Sequence, residues 1–206
     1  MNVNDFIFPV FFDMEEGQDM QGNGFFVDNY FITAAHVVQK DYAVQSDPYI
    51  LSFGKKIYLN DDNLLLERYT VDDNNSETYE TENAADIAIF KAVGIHSPFV
   101  LAEVFPNCGQ RLTCNFHHRK PFPVRTPTRQ DSFFWETTGI VQEHVPNVPN
   151  FFIATMDPEH PYRGSSGSPI FEGNMVYGVL HSGSKKISGF FSAAKIIRLI
   201  RENSII

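Results

Sequence analysis

Short runs of aromatic and β-branched residues recur along this chain: FIFPVFF, GFFVDNYFIT, YILSF, KIYL, DIAIF, RLTCNF, FFWETTGIV, NFFIATM, SPIFE, MVYGVLHS and SGFFSAA. Gly, Asn, Asp or Pro separates them. Such side chains suit a pleated, half-buried surface, and the turn residues stop each strand before it lengthens. The pattern predicts an all-β protein of many short antiparallel strands, a sandwich or barrels. The 20 Phe residues supply bulky core material for it. No repeat of solenoid or propeller length is visible. Only the tail departs from the strand pattern. In SAAKIIRLIREN, Ile196, Ile197, Leu199 and Ile200 recur at helical spacing, while Lys195, Arg198 and Arg201 lie off that face.

Charge narrows the function. A net charge of −9 argues against nucleic acid as the main partner, because phosphate binding needs a basic face. No apolar run approaches the length of a membrane span. The N-terminal MNVNDFIFPVFFD has no basic region and no small-residue cleavage site, so a secretory signal is not expected and a cytoplasmic location is favoured. Cys108 and Cys114 are the only cysteines and are expected to be reduced and structural. Residues 70–83, TVDDNNSETYETEN, set Asp72, Asn74 and Ser76 at alternate positions, as a calcium loop would. Glu77 stands where that loop needs glycine, and Asn83 where it needs a bidentate Glu, so a solvated acidic loop is expected and no metal. The basic, proline-rich HHRKPFPVRTPTRQD reads as an excursion between strands.

Chemistry enters with three short stretches. RGSSGSP packs three serines and two glycines into seven residues. Serine becomes a nucleophile only where a base takes its proton and a third group holds that base. One histidine stands in a distinctive setting, YFITAAHVV, where a strand ends at Thr33 and two small alanines let the chain turn just before His36. In AADIAIF, Asp86 opens an otherwise apolar strand, and a carboxylate entering a core needs hydrogen-bonding partners. With Ser166 as nucleophile, Gly164 and Gly167 flank it and permit backbone angles closed to other residues. The amides of Gly164 and Ser166 can then converge as an oxyanion hole. Pro169 fixes the chain into the next strand.

Taken in order, ITAAHVV, DIAIF, RGSSGSP and GVLHSG resemble the chymotrypsin-like serine proteases. The nearest look is to short bacterial members, the glutamyl endopeptidases and the Do-like proteases. The resemblance runs over nearly the whole chain. It implies two packed antiparallel β-barrels, residues 1–100 with His36 and Asp86 and residues 101–206 with Ser166 and a short C-terminal helix. It also implies a serine endopeptidase working through an acyl-enzyme on a polypeptide substrate, without a cofactor. His36 is then the general base, Asp86 its orienting acid and Ser166 the nucleophile, with Asp157 as the competing acid.

Departures from the family pattern are informative. No Ile-Val-Gly-Gly start is present, so activation by cleavage is not implied. Gly167-Ser168-Pro169 is similar to the glutamyl endopeptidases, but their G-x-H becomes Gly178-Val-Leu-His181 here. A shift of one residue along a strand reverses a side chain's face, so acid specificity does not transfer. By the resemblance the specificity pocket takes His160 at its base, Arg163 at its rim, and His181, Gly183 and Gly189 in its walls. With Lys185 nearby, a neutral-to-positive pocket would favour Glu, Gln or a bulky apolar residue; the alternative is a merely hydrophobic pocket with some of these side chains turned to solvent. The rival function is a catalytically silent member of the fold that binds peptides or partners. Esterase action on small substrates is a third reading that shares the whole mechanism.

Overall fold

A computed structural model describes residues 2–14, 17–39, 46–52, 54–72, 75–92, 94–119, 132–142, 151–157, 164–184 and 186–205. Among the described residues, fourteen strands form two seven-stranded sheets. The first sheet contains β1 (Ile7–Met14), β2 (Gly17–Val27), β3 (Tyr30–Thr33), β4 (Tyr49–Ser52), β5 (Lys55–Tyr58), β6 (Leu64–Tyr69) and β7 (Asp86–Lys91). Its order is β5-β4-β1-β2-β3-β7-β6, all antiparallel. It curls into a half-barrel, and among the described residues no ladder closes β5 onto β6.

The second sheet contains β8 (Val100–Leu101), β9 (Arg111–Arg119), β10 (Ser132–Val141), β11 (Phe151–Asp157), β12 (Pro169–Glu172), β13 (Met175–Gly183) and β14 (Ile187–Ser192). Pairing of β12 with both β9 and β13 closes a six-stranded barrel, and β8 adds to β13 in parallel. The expected architecture of two β-units and a terminal helix is therefore the observed one, with the first unit open rather than closed.

Two strands escape the sequence pattern. LLLERY has no β-branched residue and only one aromatic, yet forms β6 because β7 offers it a ladder from Leu64↔Phe90 to Tyr69↔Asp86. The two-residue β8 is too short to carry any period. The strand β7 is buried on both faces up to Phe90, with Asp86 at its start also fully buried.

The core does not respect the division into two sheets. A single buried cluster holds Phe25, Phe26, Phe31, Ile87 and Ile89 from the first sheet, Val176, Val179 and Phe191 from the second, and Ile196 and Ile200 from the terminal helix. Complete burial of each such side chain contributes about 2–3 kcal/mol, so the inner faces bind the two units to each other. The closed barrel keeps its own core of Leu112, Phe116, Phe152, Met156, Ile170, Leu180 and Phe190.

The helix α2 (Ala193–Glu202) follows β14 directly, with Ser192 capping the Lys195 amide. The sequence pattern set Lys195 off the apolar face, but the side chain is buried and Nζ donates to the Glu82 carbonyl at 2.5 Å. Its long apolar stem covers core surface while the ammonium finds an oxygen. Burial lowers its pKa. Both cysteines are free, Cys108 exposed and Cys114 buried. Most of the basic proline-rich stretch, from residue 120 to 131, lies outside the described residues. None of the described helices is long and apolar enough to cross a membrane.

Candidate active site

His36 lies in a single helical turn, α1 (Ala35–Val38), that follows β3. Ala34 and Ala35 are completely buried, so only small side chains fit where the chain leaves the sheet. The turn brings the His36 amide to Asp86 Oδ1 at 2.9 Å and the His36 ring Nδ1 to Asp86 Oδ2 at 2.5 Å. Main chain and side chain of one residue thus grip one carboxylate. β3 pairs with β7, which sets the two residues at neighbouring strand ends.

Asp86 is held from a second direction as well. His181 Nδ1 lies 2.5 Å from the same Oδ2, and its Nε2 lies 2.6 Å from the Tyr79 hydroxyl. Burial by itself raises the Asp86 carboxyl pKa. The hydrogen bonds from His181 and His36 outweigh it and hold the group below the usual carboxylate range. Asp86 is therefore an anion that can only accept, and both Nδ1 atoms carry their protons toward it.

His181 was expected in a wall of the specificity pocket. The structure instead buries it against Asp86, Tyr79 and the rings of Phe151 and Phe191. The cause is an irregularity in the β13–β14 ladder, whose register shifts between Leu180↔Phe190 and Ser182↔Gly189. A bulge of that kind re-aims a side chain that strict alternation would have sent elsewhere.

His36, Asp86 and His181 also offer ligand atoms within 4.8 Å of one another. Both Nδ1 atoms are engaged on Asp86 Oδ2, so a cation there would have to displace two N–H protons and break the arrangement. The acidic loop of residues 70–83, expected to be merely solvated, makes a contact with this cluster. Residues Ser76–Glu80 form a 3-10 turn capped by the Asn75 side chain, and this turn delivers Tyr79 to His181. Asn74 lies outside the described residues.

The serine loop is fixed mainly from the first sheet. The buried Asn23 uses its whole carboxamide: Nδ2 donates to the carbonyls of Gly164 (2.7 Å) and His117 (3.0 Å), and Oδ1 accepts from the His117 amide (2.8 Å). The Asn23 amide donates to the Ser166 carbonyl at 2.8 Å. The Ser165 carbonyl accepts from Ser168 Oγ at 2.5 Å, and the Gly167 amide donates to Leu180 at 2.8 Å. Three successive carbonyls are thus tied down. Among the described residues, the amides of Gly164 and Ser166 have no acceptor.

Ser166 Oγ donates to the His181 carbonyl at 3.0 Å, and among the described residues no hydrogen bond joins it to His36. The two glycines of this loop differ in what they require. Gly164 and Gly167 both have positive φ, +79° and +81°. A Cβ on Gly164 would meet open space, whereas one on Gly167 would run into the Asn23 carbonyl and Thr33 Oγ1. Gly167→Ala is accordingly expected to destabilise the protein by at least about 2 kcal/mol, from the left-handed backbone and the overlap together. A urea midpoint within experimental scatter of the native value would contradict this.

Of the other residues assigned to the pocket, His160 and Arg163 lie outside the described residues. Gly183 is exposed at the end of β13. Gly189 is buried in β14, and the space its Cβ would take is filled by the Phe151 ring. Asn23 and Tyr79 belong to none of the sequence motifs that point to the site. Asn23 sits between two glycines in QGNGFF, and Tyr79 is the single aromatic of an acidic stretch; both are visible oddities without a stated partner.

No protein-family model and no curated protein matches the chain. Solved structures do. Neuropsin, a serine protease of mouse brain, aligns with a TM-score of 0.63 at 14% identity, over 97% of this chain and 94% of that one. The serine protease of human pathogenic astrovirus aligns at 0.56 and 18% identity, over 91% and 89%. A scabies mite inactivated protease paralogue aligns at 0.62 and 17% identity, over 98% and 96%. With a half-barrel and a closed barrel in this order, and a helix after the last strand, the chain has the chymotrypsin-like fold of serine proteases.

Proposed function

We propose that the chain is a serine endopeptidase in which Ser166 is the nucleophile, His36 the general base and Asp86 the residue that orients His36. The observation that carries this reading is the double grip of His36 on a buried anionic Asp86. It fixes the ring with Nδ1 protonated, so Nε2 is left as the acceptor a base requires. The second support is the pair of unsatisfied amides at Gly164 and Ser166, on a loop whose neighbouring carbonyls are all engaged. Donors that need no reorganisation are what a developing oxyanion demands.

In the reaction, Ser166 Oγ leaves the His181 carbonyl by rotating about χ1, passes its proton to His36 Nε2 and attacks the substrate carbonyl. The oxyanion accepts from Gly164 and Ser166. His36 then returns the proton to the leaving amine, and water repeats the sequence to release the acyl group. No step draws on a cofactor. Apo active sites often hold their catalytic hydrogen bonds long or misaligned, so the resting position of Ser166 is compatible with this sequence.

That resting position also supports the second reading, a silent member of the fold that binds peptides, as does the alignment with inactivated paralogues. A fluorophosphonate probe separates the two. The native protein should be labelled at Ser166, and Ser166→Ala should not be labelled. A native protein that resists the probe together with a tight peptide ligand would establish the silent reading instead.

A further inference from the structure

Asp86 serves two histidines, and the second has no part in proton transfer to a substrate. His181 is almost fully buried, and every polar atom of its ring is engaged: Nδ1 on Asp86 Oδ2, Nε2 on the Tyr79 hydroxyl. The His36 and His181 rings stand nearly perpendicular, at 88°, with centroids 5.5 Å apart. They meet on one oxygen from two directions.

We propose that Tyr79 and His181 are positioning residues for the His36–Asp86 pair. Tyr79 donates its O–H to His181 Nε2 and so fixes the neutral, Nδ1-protonated form of that ring. His181 in turn donates to Asp86 and holds the carboxylate at the angle that His36 needs. The inference rests on the function proposed above only in its kinetic consequence.

Charge bookkeeping decides the state of His181. Asp86 carries one negative charge, and catalysis places one positive charge on His36. A cationic His181 would present a second positive charge to the same oxygen and oppose protonation of His36. A neutral His181 donates one hydrogen bond and leaves the full carboxylate charge to the imidazolium that forms. Its unprotonated Nε2 is an acceptor 2.6 Å from the Tyr79 hydroxyl, and loss of a donor to a buried acceptor is costly. Phe151 and Phe191 lie against the His181 ring, and Tyr79 stacks on Phe191 with an interplanar angle of 8°. The 3-10 turn of the acidic loop thereby acquires a purpose, since it carries Tyr79 across to the second sheet.

His181 also touches the nucleophile, through a different group. Its main-chain carbonyl accepts from Ser166 Oγ, while its side chain holds Asp86. Replacing the side chain removes the second contact and leaves the first.

The test is a nitrogen-15 histidine spectrum of the full chain, which reads ring protonation without any need for turnover. In the native protein both His36 and His181 should appear as neutral Nδ1–H tautomers, each with a downfield Nδ1–H proton. In His181→Phe the His181 signal disappears and the His36 Nδ1–H resonance should move, because Asp86 has lost a donor. In Tyr79→Phe the His181 Nε2 signal should move toward that of a free imine nitrogen. His181→Asn, whose amide N–H can take the place of Nδ1–H, should return the His36 resonance toward its native position.

In turnover, His181→Phe should lower kcat on the order of 10- to 100-fold with KM nearly unchanged, as for loss of one hydrogen bond to a charged group. Tyr79→Phe should lose less, and His181→Asn should recover most of the loss. An imidazolium or Nε2–H tautomer at His181, or a His36 resonance unmoved in folded His181→Phe, would overturn the proposal. If His181→Phe does not fold, the Tyr79→Phe spectrum decides alone, and an unmoved His181 Nε2 signal counts against the proposal. A native protein inert to the fluorophosphonate but showing these spectral changes would refute the endopeptidase reading and leave this one standing.

Discussion

Ser166→Ala is expected to lower kcat by about five to six orders of magnitude while leaving the fold intact, because nucleophile and base act as one unit. The side chain is partly buried, and among the described residues its one hydrogen bond goes to the His181 carbonyl. Losing it leaves that carbonyl without one partner at the edge of the cleft. Stability should therefore change by no more than about 1 kcal/mol. His36→Ala should cost a similar factor in kcat, and the double variant should be hardly worse than either single one. That near-complete non-additivity is the signature sought, since without a base Ser166 has no route to lose its proton and without Ser166 the base has nothing to activate. Clearly multiplicative losses in a single-substrate assay would refute the pairing. Residual turnover over the uncatalysed rate should persist in all three, supplied by substrate binding and the Gly164 and Ser166 amides.

Asp86→Asn should lower kcat by about four orders of magnitude, by the effect of presenting the wrong histidine tautomer. The geometry here makes the substitution worse than a loss of charge. Asp86 accepts three N–H bonds, from the His36 amide and from the two Nδ1 atoms. An asparagine has one acceptor oxygen. If that oxygen faces the two rings, the amide group opposes the His36 main-chain N–H, donor against donor. If it is flipped, the two rings must move their protons to Nε2, which disables His36 as a base and disrupts the bond to Tyr79. The first orientation leaves a buried donor unpaired, and the second costs His36 its basic nitrogen. Asp157→Asn, at the end of β11, should by contrast stay within a few-fold of native activity. The opposite outcome would transfer the role of orienting acid to Asp157.

Stability against acid should change in the same variant, with a definite sign. Asp86 titrates below the usual carboxylate range in the folded chain and at about 3.9 when unfolded. At pH values between the two, the unfolded state binds the extra proton, so stability falls as pH falls. The contribution from Asp86 is fully present above about pH 5 and drains away as the medium is acidified toward the folded value. Urea midpoints measured at pH 7 and pH 4 should differ more for the native protein than for Asp86→Asn.

Much of this was legible in the chain itself. Strand runs can be read because alternation and turn residues are local properties, and most of the apolar runs in the chain form the strands they suggest. The short turn holding His36, the buried carboxylate opening DIAIF and the glycine-rich serine loop were each visible as local violations of an otherwise apolar pattern. Their common site was inferred from a resemblance, and the structure brings His36 and Asp86 into contact. LLLERY was not legible as a strand, because its conformation is set by the ladder offered by β7 and not by its own side chains.

What only the tertiary structure decided lies in contacts between residues distant along the chain. Lys195 looked like a surface residue at helical spacing, and became a buried one because Glu82 presents a carbonyl above it. Asn23 gained its meaning from two carbonyls 94 and 141 residues away. His181 shows the physical reason most clearly. Period-two alternation fixes which face a strand residue takes only while the ladder stays in register, and register is settled by the neighbouring strand. One irregularity between Leu180 and Ser182 turned a supposed pocket residue toward Asp86 and Tyr79. A sequence lists its donors and acceptors, but which of them must be satisfied, and by whom, is fixed only when folding has removed water from around them.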